Sequence, residues 1–257
     1  MVEIKKLSKQ IGNAEIIKNV SFSFDGKILG VCGDNKTVLL NIISGTIPAS
    51  DGEVLVYGEE ESNGTALEGK DVGYLLLNSP MPNEMTPVEF LTFIGKAKNV
   101  SKQKLAKQID TVLDITGLTE SKGVYIARLC AFERKLLGVA QTLLGNPKLI
   151  LLDEPFANLT KSEKRTMRQL IKTIGDLKTV IVSAANLYEF TDICDKIAYL
   201  SEGELLACES LDVLTEIIAS AESDDDEEDV SIIVEDVEND QYNNEENTET
   251  EKEEDAE

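Results

Sequence analysis

The sequence predicts an α/β fold: a mainly parallel sheet core, an antiparallel β part and a helical lobe. Three observations predict it. Short apolar strands alternate with amphipathic helical runs, as in a parallel sheet covered on both faces. The run Leu149-Ile-Leu-Leu152 is apolar at every position, as a strand buried on both sides requires. The stretch Thr86–Leu144 holds helical patterns only and interrupts the alternation.

From the N terminus, Val2–Leu7 and Glu15–Phe24 read as strands about a turn at Gly12-Asn13, and Lys27–Cys32 as a short apolar strand. Lys36–Ser44 has helical spacing, with Val38, Leu39, Ile42 and Ile43 on one side. Glu53–Tyr57 and Val72–Leu77 are further strands, joined by a polar, glycine-containing loop. Thr86 then caps a helix with Pro87 at its first position, since threonine can accept from an unpaired N–H and proline has none to lose. Ser101–Thr116 is amphipathic with Ser101 as its cap, and Ala131–Leu144 ends at Gly145-Asn146-Pro147. Strand Lys148–Leu152, helix Lys161–Gly175, strand Thr179–Ser183 and helix Leu187–Cys194 follow. A hairpin pairs Lys196–Leu200 with Glu204–Ala207 about Glu202-Gly203, and Leu211–Ser220 closes the folded part. No internal repeat is visible.

At 257 residues and 42% hydrophobic content the chain can bury a full core. No apolar run is long enough for a membrane span, and Met1-Val-Glu-Ile-Lys-Lys6 does not read as a signal peptide. Cys32, Cys130, Cys194 and Cys208 lack metal-ligand spacing and read as reduced thiols of a cytoplasmic protein. Histidine is absent, which excludes imidazole catalysis, imidazole metal ligands and a histidine pH switch. The net charge of −23 is concentrated at one end. Residues 222–257 hold 19 acids and one lysine, a net of −18, which leaves −5 for the first 221 residues. Neither part has the basic footprint of a nucleic-acid binder, so no nucleic-acid partner is expected. Residues 221–257 carry too little apolar surface to offset chain entropy and are expected to be disordered. Val230-Ser-Ile-Ile-Val234 forms an apolar island within them.

Two segments carry candidate chemistry. Leu149-Ile-Leu-Leu-Asp-Glu-Pro155 sets Asp153 and Glu154 at the end of a buried strand. Gly33-Asp34-Asn35-Lys36-Thr37 ends one strand and opens a helix. The second approaches the phosphate loop G-x-x-x-x-G-K-[ST], whose glycines let backbone N–H groups converge on phosphate oxygens. Lys36 and Thr37 match it, but the arc before them is about three residues short, which removes three N–H donors and about 10 Å of contour.

Over about residues 1–215 the order of motifs resembles the nucleotide-binding subunits of ABC transporters, in the style of bacterial ABC-2-type exporters. The resemblance rests on Asn19-Val-Ser-Phe22, Lys36-Thr-Val-Leu-Leu-Asn-Ile-Ile-Ser-Gly45, Val72-Gly-Tyr-Leu75 and Glu84-Met-Thr86. Leu144-Gly-Asn-Pro-Lys-Leu-Ile-Leu-Leu-Asp-Glu-Pro155 and Cys194-Asp-Lys-Ile197 extend it. It implies a P-loop NTPase-like ABC ATPase fold over residues 1–220, with the helical lobe at about 86–145, and the acidic tail read from composition over 221–257 lies beyond it. It also implies a site between two such domains. Gly33, Lys36, Thr37 and Asp153 would meet the nucleotide, Thr37 and Asp153 would serve Mg²⁺, and Glu154 would orient the attacking water.

Six of the seven family contacts depart from the pattern. Ile11 stands where an aromatic would stack on adenine, and an aliphatic chain offers no flat π face. The phosphate loop is short. Leu77 takes the place of the Q-loop glutamine, with Asn78 one position on. Leu129-Cys-Ala-Phe-Glu133 replaces the glycine-containing signature, so that Phe132 and the Ala131 methyl would crowd a γ-phosphate and Glu133 would repel it. Thr160 stands for the D-loop aspartate and Ala185 for the switch histidine, and alanine has nothing to donate. Only Asp153-Glu154 is intact. Asp34 or Asn35 is expected to cap the helix and fill the anion site. The expectation is a pseudo-ATPase in which Gly33, Lys36, Thr37, Asp153 and Glu154 are vestigial and no cofactor is held tightly. It would dock a permease subunit at the inner membrane face, alone or as a heterodimer with an active ABC ATPase. The alternative is an ATP-hydrolysing exporter subunit with an atypical P-loop, which would use MgATP.

Overall fold

A computed structural model describes residues 1–56, 65–66, 71–77 and 79–222. The expected tail, its Val230–Val234 island, Tyr57 and Asn78 lie outside the described residues.

Two sheets form the frame. The first is antiparallel, in the order β2-β1-β4-β5, from β1 (Val2–Ile11), β2 (Ala14–Phe24), β4 (Asp51–Val56) and β5 (Thr65–Ala66). The second has the order β10-β9-β3-β8-β7-β6. Its strands are β3 (Ile28–Gly33), β6 (Val72–Leu75), β7 (Leu149–Leu152), β8 (Thr179–Ser183), β9 (Lys196–Ser201) and β10 (Glu204–Glu209). All its neighbours are parallel except β9 and β10, which form the expected hairpin.

Strand alternation divides the parallel sheet between two cores. Leu29, Val31, Leu149, Leu151 and Ile181 face the antiparallel sheet and α1 (Lys36–Ile43), which is clamped between the sheets by Leu39, Leu40, Ile42 and Ile43. Ile28, Cys32, Ile150, Leu152, Val180 and Val182 face the other way, toward α2 (Pro87–Ala97), α3 (Lys102–Ile115), α4 (Ala131–Leu143), α5 (Lys161–Gly175) and α6 (Leu211–Glu222). The expected lobe is therefore α2, α3 and α4. It shares one core with this face of the sheet, and α4 packs directly on β6 and β7.

The helix starts follow from local chemistry. Thr86 caps α2 and Thr160 caps α5, each in a reciprocal box with the glutamate three residues on, Glu89 and Glu163. At the other end of α4, the Lys98 ammonium donates to the carbonyls of Gln141 at 3.0 Å and Leu144 at 3.2 Å, partners that the helix itself cannot supply. Two local expectations are corrected. Ser101 precedes α3 but makes no side-chain capping bond. Leu187–Cys194 is not a helix: only Leu187–Phe190 forms a 3₁₀ turn, because the backbone leaves helical geometry at Thr191, with ψ 126°, and at Asp192, with a left-handed φ of 63°. α6 continues two residues past the expected boundary at 220.

Candidate functional site

The C-terminal ends of β3, β7 and β8 lie side by side and bring the two motifs together. This edge is where ligands bind in open α/β sheets.

Asp153 sits just past β7 and is 1% exposed. Its Oδ1 accepts from the Ser183 hydroxyl at 2.6 Å and the Thr37 hydroxyl at 3.1 Å, so β8 and α1 both hold it. Its Oδ2 is buried without a hydrogen-bond partner. Ser183 also accepts from the Glu154 amide at 2.9 Å and thereby ties the chain where Glu154 turns with a left-handed φ of 51°. Buried polar atoms normally find partners, so Oδ2 is the one open valence in this cluster.

Lys36 and Glu154 meet. The Lys36 Nζ lies 3.2 Å from Glu154 Oε1, with side chains 21% and 14% exposed. The structure thus brings Lys36, Thr37, Asp153 and Glu154 together as the sequence predicts. Gly33 plays another part. It is the last residue of β3, with φ 88°, and a Cβ there would overlap the Leu200 carbonyl oxygen on β9. Glycine is required there by strand packing.

The loop between Gly33 and Lys36 departs from expectation. The Asp34 amide donates to Leu200 O at 3.0 Å, and the Asp34 carboxylate accepts from the Glu202 amide at 3.3 Å. Asp34 is therefore anchored to the β9–β10 turn and does not enter the anion site. Asn35 takes a left-handed conformation, makes no capping bond and donates to Ile16 O at 3.2 Å. Neither residue fills the anion position, because the β9–β10 turn holds the Asp34 side chain and β2 holds that of Asn35. The first turn of α1 also carries no acid.

At α4, Cys130 is the cap, and Glu133 closes a capping box by accepting from the Cys130 amide at 2.9 Å and from the Ser121 hydroxyl at 2.6 Å. The Ser121 bond first, then the Cys130 amide, hold the Glu133 carboxyl below its usual value. The carboxylate expected to repel a phosphate is thus bound to its own helix terminus. Phe132 is half-buried against the core that the helices share with the parallel sheet. Ala131 is exposed and lines, with Asp153 and Glu154, a cleft of about 430 Å³ between α4 and the segment after β6. Exposed Leu76 and Leu77 form its opposite wall. Ile11 is 54% exposed at the tip of β1, and Ala185 is exposed beyond β8.

Sequence reasoning missed Lys135. It reaches from α4 into the cleft and donates to Ala157 O at 2.6 Å and Glu154 O at 3.4 Å. Burial lowers its pKa, and the Glu154 charge opposes that shift. The available signal was a lysine near the start of α4, within reach of the turn after β7. Among the described residues no group of His, Cys, Asp or Glu is arranged as a metal-binding cluster, and no helix is long and apolar enough to cross a membrane.

Comparison with known proteins agrees with this layout. Residues 17–157 match the family model described as ABC transporter. The chain is 29% identical to the Uncharacterized ABC transporter ATP-binding protein YxlF of Bacillus subtilis (strain 168), over 80% of this chain and 69% of that protein. It is 31% identical to YhcH of the same organism, over 80% of this chain and 68% of that one. Among solved structures it superposes on the ATP-binding cassette MJ0796, a dimer bound to ADP and Pi, with a TM-score of 0.69 and 21% identity. That match covers 82% of this chain and 99% of that one. ATP-binding subunits of this kind use MgATP and work with membrane permease components. The two-sheet frame, the edge that gathers Lys36, Thr37, Asp153 and Glu154, and the matched span agree: the chain belongs to the ABC transporter family, as an ATP-binding domain.

Proposed function

We propose that this chain is a pseudo-ATPase of the ABC family, a structural or regulatory subunit that docks a permease component without hydrolysing ATP. The Lys36–Glu154 ion pair at 3.2 Å carries the reading. The cation that would bind phosphate and the carboxylate that would orient water neutralise each other. Only Asp34 and Asn35 separate Gly33 from Lys36, and both are engaged by the hairpin and Ile16. The filled N-terminus of α4 supports the same reading from the signature side, since Glu133 already occupies the positive end of that helix. Fit to MgATP divides in two. The metal side fits, because Thr37 and the open Asp153 Oδ2 are the groups that would serve Mg²⁺. The phosphate side does not, because its cradle is short and its lysine is engaged.

Docking would use the cleft walled by α4 and Leu76–Leu77, at the cytoplasmic face of the membrane. A heterodimer with an active ABC ATPase would place this short loop in one composite site and Leu129–Glu133 in the other, so both would work poorly. Calorimetric titration of the intact chain with MgATP tests the proposal. No saturable binding is expected, and light scattering should give the same mass with and without MgATP. Micromolar affinity lost on Lys36→Ala, or a nucleotide-dependent dimer, would overturn it.

One observation favours the alternative, an ATP-hydrolysing exporter subunit with an atypical P-loop. The first turn of α1 has no side-chain cap and no acid, and Thr37 in that turn bonds Asp153. Micromolar MgATP affinity would select that reading.

A further inference from the structure

A second cavity lies on the opposite end of the molecule, between α3, the end of α4 and the end of α5. It measures about 490 Å³, within the roughly 300–1,000 Å³ typical of binding clefts. Val112, Ile115 and Leu177 give it an apolar floor. Leu177 is 63% exposed, the most exposed large hydrophobic side chain among the described residues. Lys104, Lys107 and Lys178 stand around the rim, and no carboxylate lines it. None of the three lysines is ion-paired among the described residues. A cationic rim around an apolar floor is unusual on a body whose first 221 residues are net acidic.

The same chain supplies the complementary chemistry. Val230, Ile232, Ile233 and Val234 follow six consecutive acids, Asp224–Asp229, and precede Glu235, Asp236 and Glu238. α6 ends at Glu222 on the face of the sheet that carries the groove, since Leu214 and Ile218 share a core cluster with Val112 and Ile174. α6 packs on β9 and β10, and α5 on β8, which is three strands from β10. That is a lateral distance of about 14 Å. Seven residues, Ser223–Asp229, separate Glu222 from Val230, and the eight Cα-to-Cα steps span up to about 27 Å.

We propose that the Val230–Val234 segment of the chain's own acidic tail occupies this groove, its aliphatic side chains on Val112, Ile115 and Leu177 and its flanking carboxylates on Lys104, Lys107 and Lys178. Apolar contact supplies the hold, and the paired charges fix the segment's place. Because the segment is tethered, its effective concentration reaches about the millimolar range, so modest intrinsic affinity suffices. The charge part is screened by salt.

Methyl NMR of the full chain tests this against a chain ending at Glu222. The methyl signals of Val112, Ile115 and Leu177 should shift on truncation. The double substitution I232D/I233D in the full chain should reproduce that shift. Lys104→Glu with Lys107→Glu, or high salt, should move the signals part of the way, while methyls of Leu39 and Ile43 in the upper core stay fixed. Groove signals identical with and without the tail would overturn the proposal. So would shifts that scale with protein concentration, which would place one chain's tail on another.

Discussion

Opening the Lys36–Glu154 contact from each side tests how the site is held. Three variants suffice: Lys36→Met, Glu154→Gln and the pair together. At 3.2 Å and an effective dielectric constant of about 20, the attraction is about 5 kcal/mol before desolvation. Both side chains are mostly buried, at 21% and 14% exposure, so lost hydration cancels much of it. A coupling of about 1–2 kcal/mol is expected from a double-mutant cycle on urea unfolding. Lys36→Met should cost more than Glu154→Gln, because it strands a carboxylate, whereas glutamine still offers Lys36 a carbonyl oxygen. MgATP titration of the same proteins adds a second readout. If Lys36 were merely held away from a competent site, releasing it in Glu154→Gln would tighten MgATP binding by about tenfold for each 1.4 kcal/mol of coupling. The proposed reading expects no binding in any variant. Coupling below about 0.3 kcal/mol would refute the reasoning about the pair, and micromolar binding by Glu154→Gln would refute the inert site.

Further expectations follow from other contacts. Gly33→Ala should destabilise the chain by about 2–4 kcal/mol in urea melts, because it adds a left-handed penalty and a methyl against the Leu200 carbonyl. Lys98→Met should lower stability by about 1–3 kcal/mol in the same assay, since the Gln141 and Leu144 carbonyls lose their donor. Glu133→Gln should cost about 1 kcal/mol at neutral pH. The Glu133 carboxyl is lowered from its usual 4.5, so its contribution is complete above that value and is lost as pH falls through its folded-state value. Melting temperatures of wild type and Glu133→Gln should therefore converge in acid, and a constant gap would contradict the capping role.

The frame was legible because burial writes itself into residue type. Leu149–Leu152 is apolar throughout since β7 is covered on both faces, and Thr86-Pro87 announces α2 through an orphan N–H that only a cap can satisfy. Leu187–Cys194 was misread because its aliphatic spacing mimics a helix, while the segment is buried on more than one side. The site was half legible. The family resemblance implied that Lys36, Thr37, Asp153 and Glu154 share a site, but the Asn35 side chain is taken by Ile16 on β2 and that of Asp34 by the β9–β10 turn, more than 160 positions away. No local pattern encodes that contact. Lys135 was hidden for the same reason, since its partners are backbone carbonyls with no side-chain signature.

Lys135 links two parts of the molecule mechanically. Its ammonium is rooted in α4 and grips the carbonyls of Glu154 and Ala157 in the turn after β7. A partner wedged into the cleft beside Leu76 and Leu77 would push on α4, and this side chain would pass the push to the backbone that carries Glu154. Force on this wall of the cleft would reach the turn that carries Glu154 through this contact, and removing the lysine would let the two walls move independently.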